Sequence, residues 1–229
     1  MRTYVAAIVA VVCLAAPSIA SAAPPLPNSI AGIGDSITRA ADVCCWYGDH
    51  PAQSWSTGGG AFDGISSHYE RIRALKPSIY GHNYNDAKSG AKMRDAIGQA
   101  QAAVSQGAMY VTILMGANDV CTGSAATMTS VGDFTAQLVW AGAGICQSML
   151  SLTNSEADRQ AVVAREAAFN QVLAQVCGQY AFCRYDDGAT FNFSFSRSDV
   201  SKLDYFHPSL GGQAKLASLT WARSWWAAS

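Results

Sequence analysis

Apolar positions along the chain fall into short runs broken by glycine and into stripes at helical spacing. The first run lies within Ser29–Arg39 (SIAGIGDSITR) and ends at Gly34, predicting a strand with Asp35 and Ser36 at its carboxyl end. Met109–Met115 (MYVTILM) is the clearest strand, a continuous apolar run of the kind that suits a sheet covered on both faces. It leads at once into Gly116-Ala117-Asn118-Asp119. Ile79–Tyr84 is an irregular second strand candidate and Tyr180–Tyr185 a last one. Helical patterns cover Ile65–Lys76, ended by Pro77, and Met93, Ile97, Ala100 and Val104 up to Gln106. A third helix opens at Ser155 with Asp158 three residues on, a capping-box spacing, and carries Phe169, Val172, Leu173 and Val176 as far as Gly178. A terminal helix follows Ser209. Ser130–Leu152 reads as mixed helix and loop, weakened by Gly142 and Gly144. Strands alternating with helices in one uninterrupted stretch indicate a single α/β domain.

The start of the chain reads differently. Arg2, the apolar run Val5–Ala16 and Ala20-Ser21-Ala22 have the order of an export leader, and the run is too short to span a bilayer. The expected organisation is a leader over 1–22 and one domain over 23–229, secreted without an anchor. A formal charge of −1, with 14% charged residues, gives no basic footprint for nucleic acid. A neutral or amphipathic substrate and a monomer are expected. Of seven cysteines one, Cys13, lies in the leader, so 7 − 1 = 6 remain, and an even number in an exported chain favours disulfides. Cys177 with Cys183 is the easiest local pair and Cys121 with Cys146 is plausible. That leaves the adjacent Cys44 and Cys45, whose bridge would be strained. No CxxC or HxxxH spacing supports zinc.

Polar chemistry collects after the strands. Ser36 follows the first strand and Asn118 the Met109–Met115 strand. Gly90 stands in a turn before a helix, where unpaired N–H groups can receive an anion. His207, in Asp204-Tyr205-Phe206-His207-Pro208, precedes the last helix. A doubly wound sheet gathers such loops at one edge. Together they suit acyl transfer: Ser36 as nucleophile, His207 as base, and Asp204 to fix the imidazole tautomer. The N–H groups of Ser36 and Gly90 and the Asn118 amide would receive the oxyanion. The glycine-rich loop holding Trp46, Tyr47 and Trp55 reads either as a wall of an apolar groove or as an ordinary surface loop. His50 and His68 lie nearby without catalytic spacing.

Gly34-Asp35-Ser36, the Gly90 turn, Gly116-x-Asn118-Asp119 and Asp204-x-x-His207-Pro208 resemble the four signature blocks of the GDSL (SGNH) hydrolases, in order. SWSTGG and GANDVC are similar to a secreted bacterial branch related to phospholipase B-like esterases. The resemblance implies a three-layer α/β/α flavodoxin-like parallel sheet and an ester hydrolase with Ser36, Asp204 and His207 as triad. Ser36, Gly90 and Asn118 then form the oxyanion hole, with no metal or other cofactor, and Asp35 and Asp119 are structural hydrogen-bonders. The substrate would be an acyl ester of a lipid or small alcohol; a carbohydrate acetylesterase and a non-catalytic binding relic are the alternatives. One departure stands out. The family normally carries a further strand and helix after the Asn118 block, and no convincing strand is legible between Cys121 and Ser155. A sheet lacking one central βα unit is the corresponding expectation, with the last strand moving over to pair with Met109–Met115.

Overall fold

The computed structural model describes residues 23–137 and 155–227. The leader expected over 1–22, Cys146, and most of the interval where the family's further strand would stand lie outside the described residues.

The sheet is parallel, with strand order β2-β1-β3, where β1 is Ile30–Gly34, β2 Asn83–Asn85 and β3 Tyr110–Leu114. The register sets Ile30 beside Tyr110 and Gly34 beside Leu114. Parallel neighbours require crossovers, and helices supply them. Helix α1 (His68–Leu75) precedes β2, and α2 (Ala96–Ser105) precedes β3 and packs against β1. The short α3 (Ala117–Val120) follows β3, then α4 (Val131–Gln137), α5 (Glu156–Cys177) and the terminal α6 (Leu210–Trp221).

Local chemistry explains the helix starts. Ser67 and Glu70 form a reciprocal capping box at α1, and Ser155 and Asp158 do the same at α5, as the spacing there predicts. At α6 the Ser209 side chain accepts the N–H of Gly212. Gly178 ends α5 in right-handed geometry (φ −62°), so the stop there is not a left-handed glycine cap.

Three apolar clusters hold the elements together. Ile30 packs with Tyr69 and Ile72 of α1, Ile79, Trp221 of α6 and Trp226. Trp55, Ile65, Leu216 and Ala217 form a second cluster, against which Ile37 and Leu114 pack. A third joins Met93, Met115 and Val120 to Phe134 of α4 and Val162, Phe169 and Val172 of α5. Val111 and Ile113, on the alternate face of β3, are 39% and 51% exposed. The apolar run of β3 therefore does not mark a strand buried on both sides.

The expected last strand at Tyr180–Tyr185 does not form. The Cys177–Cys183 disulfide, with Cα atoms 5.1 Å apart, folds that segment back on the end of α5 as turns. It does not pair with β3, whose one strand partner among the described residues is β1. The Cys177–Cys183 pairing itself matches the expectation. Cys121 is also disulfide-bonded. Cys44 and Cys45 are free thiols with sulfurs 2.7 Å apart. Consecutive Cα atoms lie about 3.8 Å apart, shorter than the usual disulfide span, which opposes a bridge between neighbours.

Candidate active site

The end of β1 sets Ser36. Gly34 has φ +154°, and a Cβ there would come within 2.4 Å of the Leu114 carbonyl, so only glycine fits at this end of the β1–β3 pairing. The Gln99 side chain of α2 accepts the Gly34 N–H at 2.7 Å and donates to the Gly34 carbonyl at 2.9 Å. Asp35 then turns inward, 1% exposed, and its Oδ1 accepts the Ile37 N–H. Burial pushes its carboxyl up to about 7, against the Ile37 N–H and the charge of His207, while Asp119 adds to the rise. Among the described residues Oδ2 of Asp35 has no hydrogen-bond partner. These features fit a structural carboxyl that is disfavoured as an anion.

Ser36 lines a cavity of about 440 Å³ together with Asp42, Ser89, Gly90, Asn118 and His207. Among the described residues nothing hydrogen-bonds the Ser36 hydroxyl, which leaves it available. Gly90 adopts φ +82°, left-handed geometry that favours glycine, on the turn before Met93. The Asn118 amide donates to the Ala91 carbonyl at 3.0 Å. That bond orients the amide and spends one of its two N–H donors. Asp119 is fully buried, accepting the Met93 N–H through Oδ2 and the Thr129 N–H through its backbone carbonyl. Burial raises the Asp119 carboxyl above its ordinary value, and the residue ties α3 to the Gly90 turn.

His207 reaches the cavity without any strand beneath it. Val200 bridges Pro208, and the Ser201 N–H donates to the His207 carbonyl at 2.7 Å. The Ser201 hydroxyl donates to the Asp42 carbonyl, and the Tyr47 hydroxyl to the Leu203 carbonyl. Asp199, 3% exposed, receives Lys215 of α6 at 2.7 Å; that ammonium and Ser196 hold its carboxyl down to about 2. The loop is thus riveted to α6 on one side and to the loop after Ser36 on the other.

His207 Nδ1 pairs with Asp204 Oδ2. Burial works against the Asp204 anion, but the N–H groups of Phe206 and His207 and the imidazole hold its carboxyl below the ordinary value. Asp42 Oδ2 lies 3.8 Å from the same ring nitrogen, a second acidic neighbour that the sequence reading missed. A carboxylate six residues past a serine carries no signal of its own. Asp42, Asp204 and His207 also offer ligand atoms all within 4.8 Å of one another, the one cluster among the described residues able to hold a metal ion.

The aromatic side chains of the loop after Ser36 do not line this cavity, although Gly48 and Asp49 of the same loop do. Trp55 is buried in the core, its Nε1 against Thr38, while Trp46 and Tyr47 are exposed. His50 is buried, with Nε2 3.0 Å from the Trp46 carbonyl. His68 is buried between Tyr110 and Thr220, hydrogen-bonded to both, and burial pushes its imidazole down to about 3. It is a core histidine.

The family model for GDSL-like Lipase/Acylhydrolase matches residues 30–220. No curated protein matches the chain.

Proposed function

The chain belongs to the GDSL-like lipase/acylhydrolase family, and from that premise we propose that it is a secreted serine carboxylic ester hydrolase working through Ser36, His207 and Asp204. The observation that carries this reading is the shared cavity of Ser36, Gly90, Asn118 and His207, with Nδ1 of His207 held by Asp204.

In the proposed cycle Ser36 Oγ attacks the ester carbonyl carbon while His207 Nε2 takes the hydroxyl proton. Asp204 keeps the proton on Nδ1, so that Nε2 is the basic nitrogen, and stabilises the imidazolium that results. Charge builds on the carbonyl oxygen and is received by the N–H groups of Ser36 and Gly90 and by the free amide hydrogen of Asn118. Collapse breaks the C–O bond to the alcohol, which leaves with the proton from His207. Water, deprotonated by His207, then attacks the acyl-serine and releases the acid and the Ser36 hydroxyl. No step calls for a metal or an organic cofactor.

Secretion is supported by the leader pattern at the start of the sequence and by the Cys177–Cys183 disulfide. No helix among the described residues is long and apolar enough to cross a membrane. The test is a serine-directed fluorophosphonate with a short p-nitrophenyl ester. The expected result is one label on Ser36, with both label and turnover lost in Ser36→Ala. A folded protein that never labels would establish the non-catalytic relic instead.

A further inference from the structure

A second cavity, of about 310 Å³, lies against the first. Its wall is built by the chain neighbours of the proposed catalytic groups. Ile37 follows Ser36, Ala117 precedes Asn118, and Phe206 and Pro208 flank His207. Cys121 and Phe206 line both cavities. Buried Val162 of α5 and Leu216 of α6 line it together with Val200 and the more exposed Phe195.

The two cavities differ in chemistry. The one holding Ser36 is edged by Asp42, Asp49 and Ser89, and Gly48, Asp49, Ser89 and Gly90 there are exposed. A departing alcohol can reach water on that side. The second is lined mainly by aliphatic and aromatic side chains. Its acidic members are muted. Asp199 is paired with Lys215, and burial raises the Glu166 carboxyl above its ordinary value. An apolar space of this size beside a nucleophile suits an apolar occupant that the reaction itself brings there.

We propose that this second cavity, between α5, α6 and the Phe195–Pro208 loop, receives the acyl chain of a medium-chain ester, with Phe206 and Cys121 at its mouth. The proposal rests on the esterase reading above and adds to it the side of the ester that is recognised. Burying a methylene is worth about 0.8 kcal/mol, so each carbon that enters should raise kcat/KM up to roughly fourfold until the cavity is full.

A p-nitrophenyl series from acetate to palmitate tests this. The expected profile rises from acetate, peaks at intermediate length and falls at palmitate. Val200→Phe, which fills the cavity, should cut the octanoate-to-acetate ratio of kcat/KM at least tenfold. Phe195→Ala, which enlarges it, should move the peak to longer chains. A flat profile unmoved by both variants, with acetate still turned over, would overturn the acyl pocket while leaving the esterase reading intact. So would a rise with alcohol length in a series of alkyl acetates. Binding to the Ser36→Ala protein gives a readout independent of turnover. Octanoate should bind at least tenfold tighter than butyrate, and Val200→Phe should erase the difference. Equal affinities would sink the proposal whether or not the protein proves to be an enzyme.

Discussion

The side-chain amide of Gln99 brackets Gly34, taking its N–H at 2.7 Å and giving a hydrogen bond to its carbonyl at 2.9 Å. Both groups end β1 in a buried position two residues before Ser36, where β-ladder partners run out. One side chain from α2 thereby fixes the turn that presents the proposed nucleophile.

Replacing that amide should therefore act on the fold and the site together. Gln99→Ala leaves the buried Gly34 N–H unpaired, while the Gly34 carbonyl keeps the Lys88 N–H, at a cost of about 1–3 kcal/mol. Urea unfolding should show a lower midpoint with an unchanged slope. A midpoint within experimental error of the wild type would mean that water replaces the amide.

Asn118→Ala should lower kcat by about 10²–10³ with little change in KM, because in the proposed cycle its second N–H meets charge that exists only in the transition state. Asp119→Asn should act first on stability, since the amide oxygen can keep the Met93 N–H but an NH2 group then replaces the buried Oδ1, unpartnered among the described residues. Steady-state kinetics on one p-nitrophenyl ester separates the two. An effect of Asn118→Ala confined to KM would place the amide in ground-state binding.

Thiol chemistry should follow the cysteine environments. Alkylation of the unreduced, denatured protein should modify Cys44 and Cys45 and spare Cys177 and Cys183. In the native protein Cys45, which is exposed, should react before Cys44, whose thiol burial pushes up to about 11. Peptide mass spectrometry reads both results, and a Cys44–Cys45 bridge would contradict the first.

Two buried groups should give stability opposite slopes on pH. His68 has its folded value lowered from 6.5 to about 3, so the folded protein binds fewer protons between those values. Stability is full above about pH 6.5 and falls on acidification towards pH 3. Asp35 is raised from 3.8 to about 7, so its contribution is full below pH 3.8 and is lost as pH climbs through 7. Asp35→Asn should then gain a few kcal/mol on the wild type between pH 4 and pH 8. Urea midpoints across that range would show it. A difference independent of pH would mean that Asp35 does not titrate there.

The sequence alone determined the strands and helices whose signals are local. β1 ends at Gly34 because only glycine tolerates that approach, and the capping box of α5 is written in Ser155 and Asp158. Ser36, Gly90, Asn118 and His207 were legible as the residues to bring together, because each follows a strand or precedes a helix. Tyr180–Tyr185 read as a strand because an apolar, aromatic segment looks alike whether it pairs or turns. Its fate was decided by the Cys177–Cys183 link. Trp55 could not be told from a groove residue until Thr38 was in place, and His68, which carried no catalytic spacing, gained its place only with Tyr110 and Thr220. Asp42 carries no pattern at all, and only the crossing of two distant loops at Ser201 sets it beside His207. Long-range contacts of this kind depend on which elements pack, and burial, not local spacing, settles that.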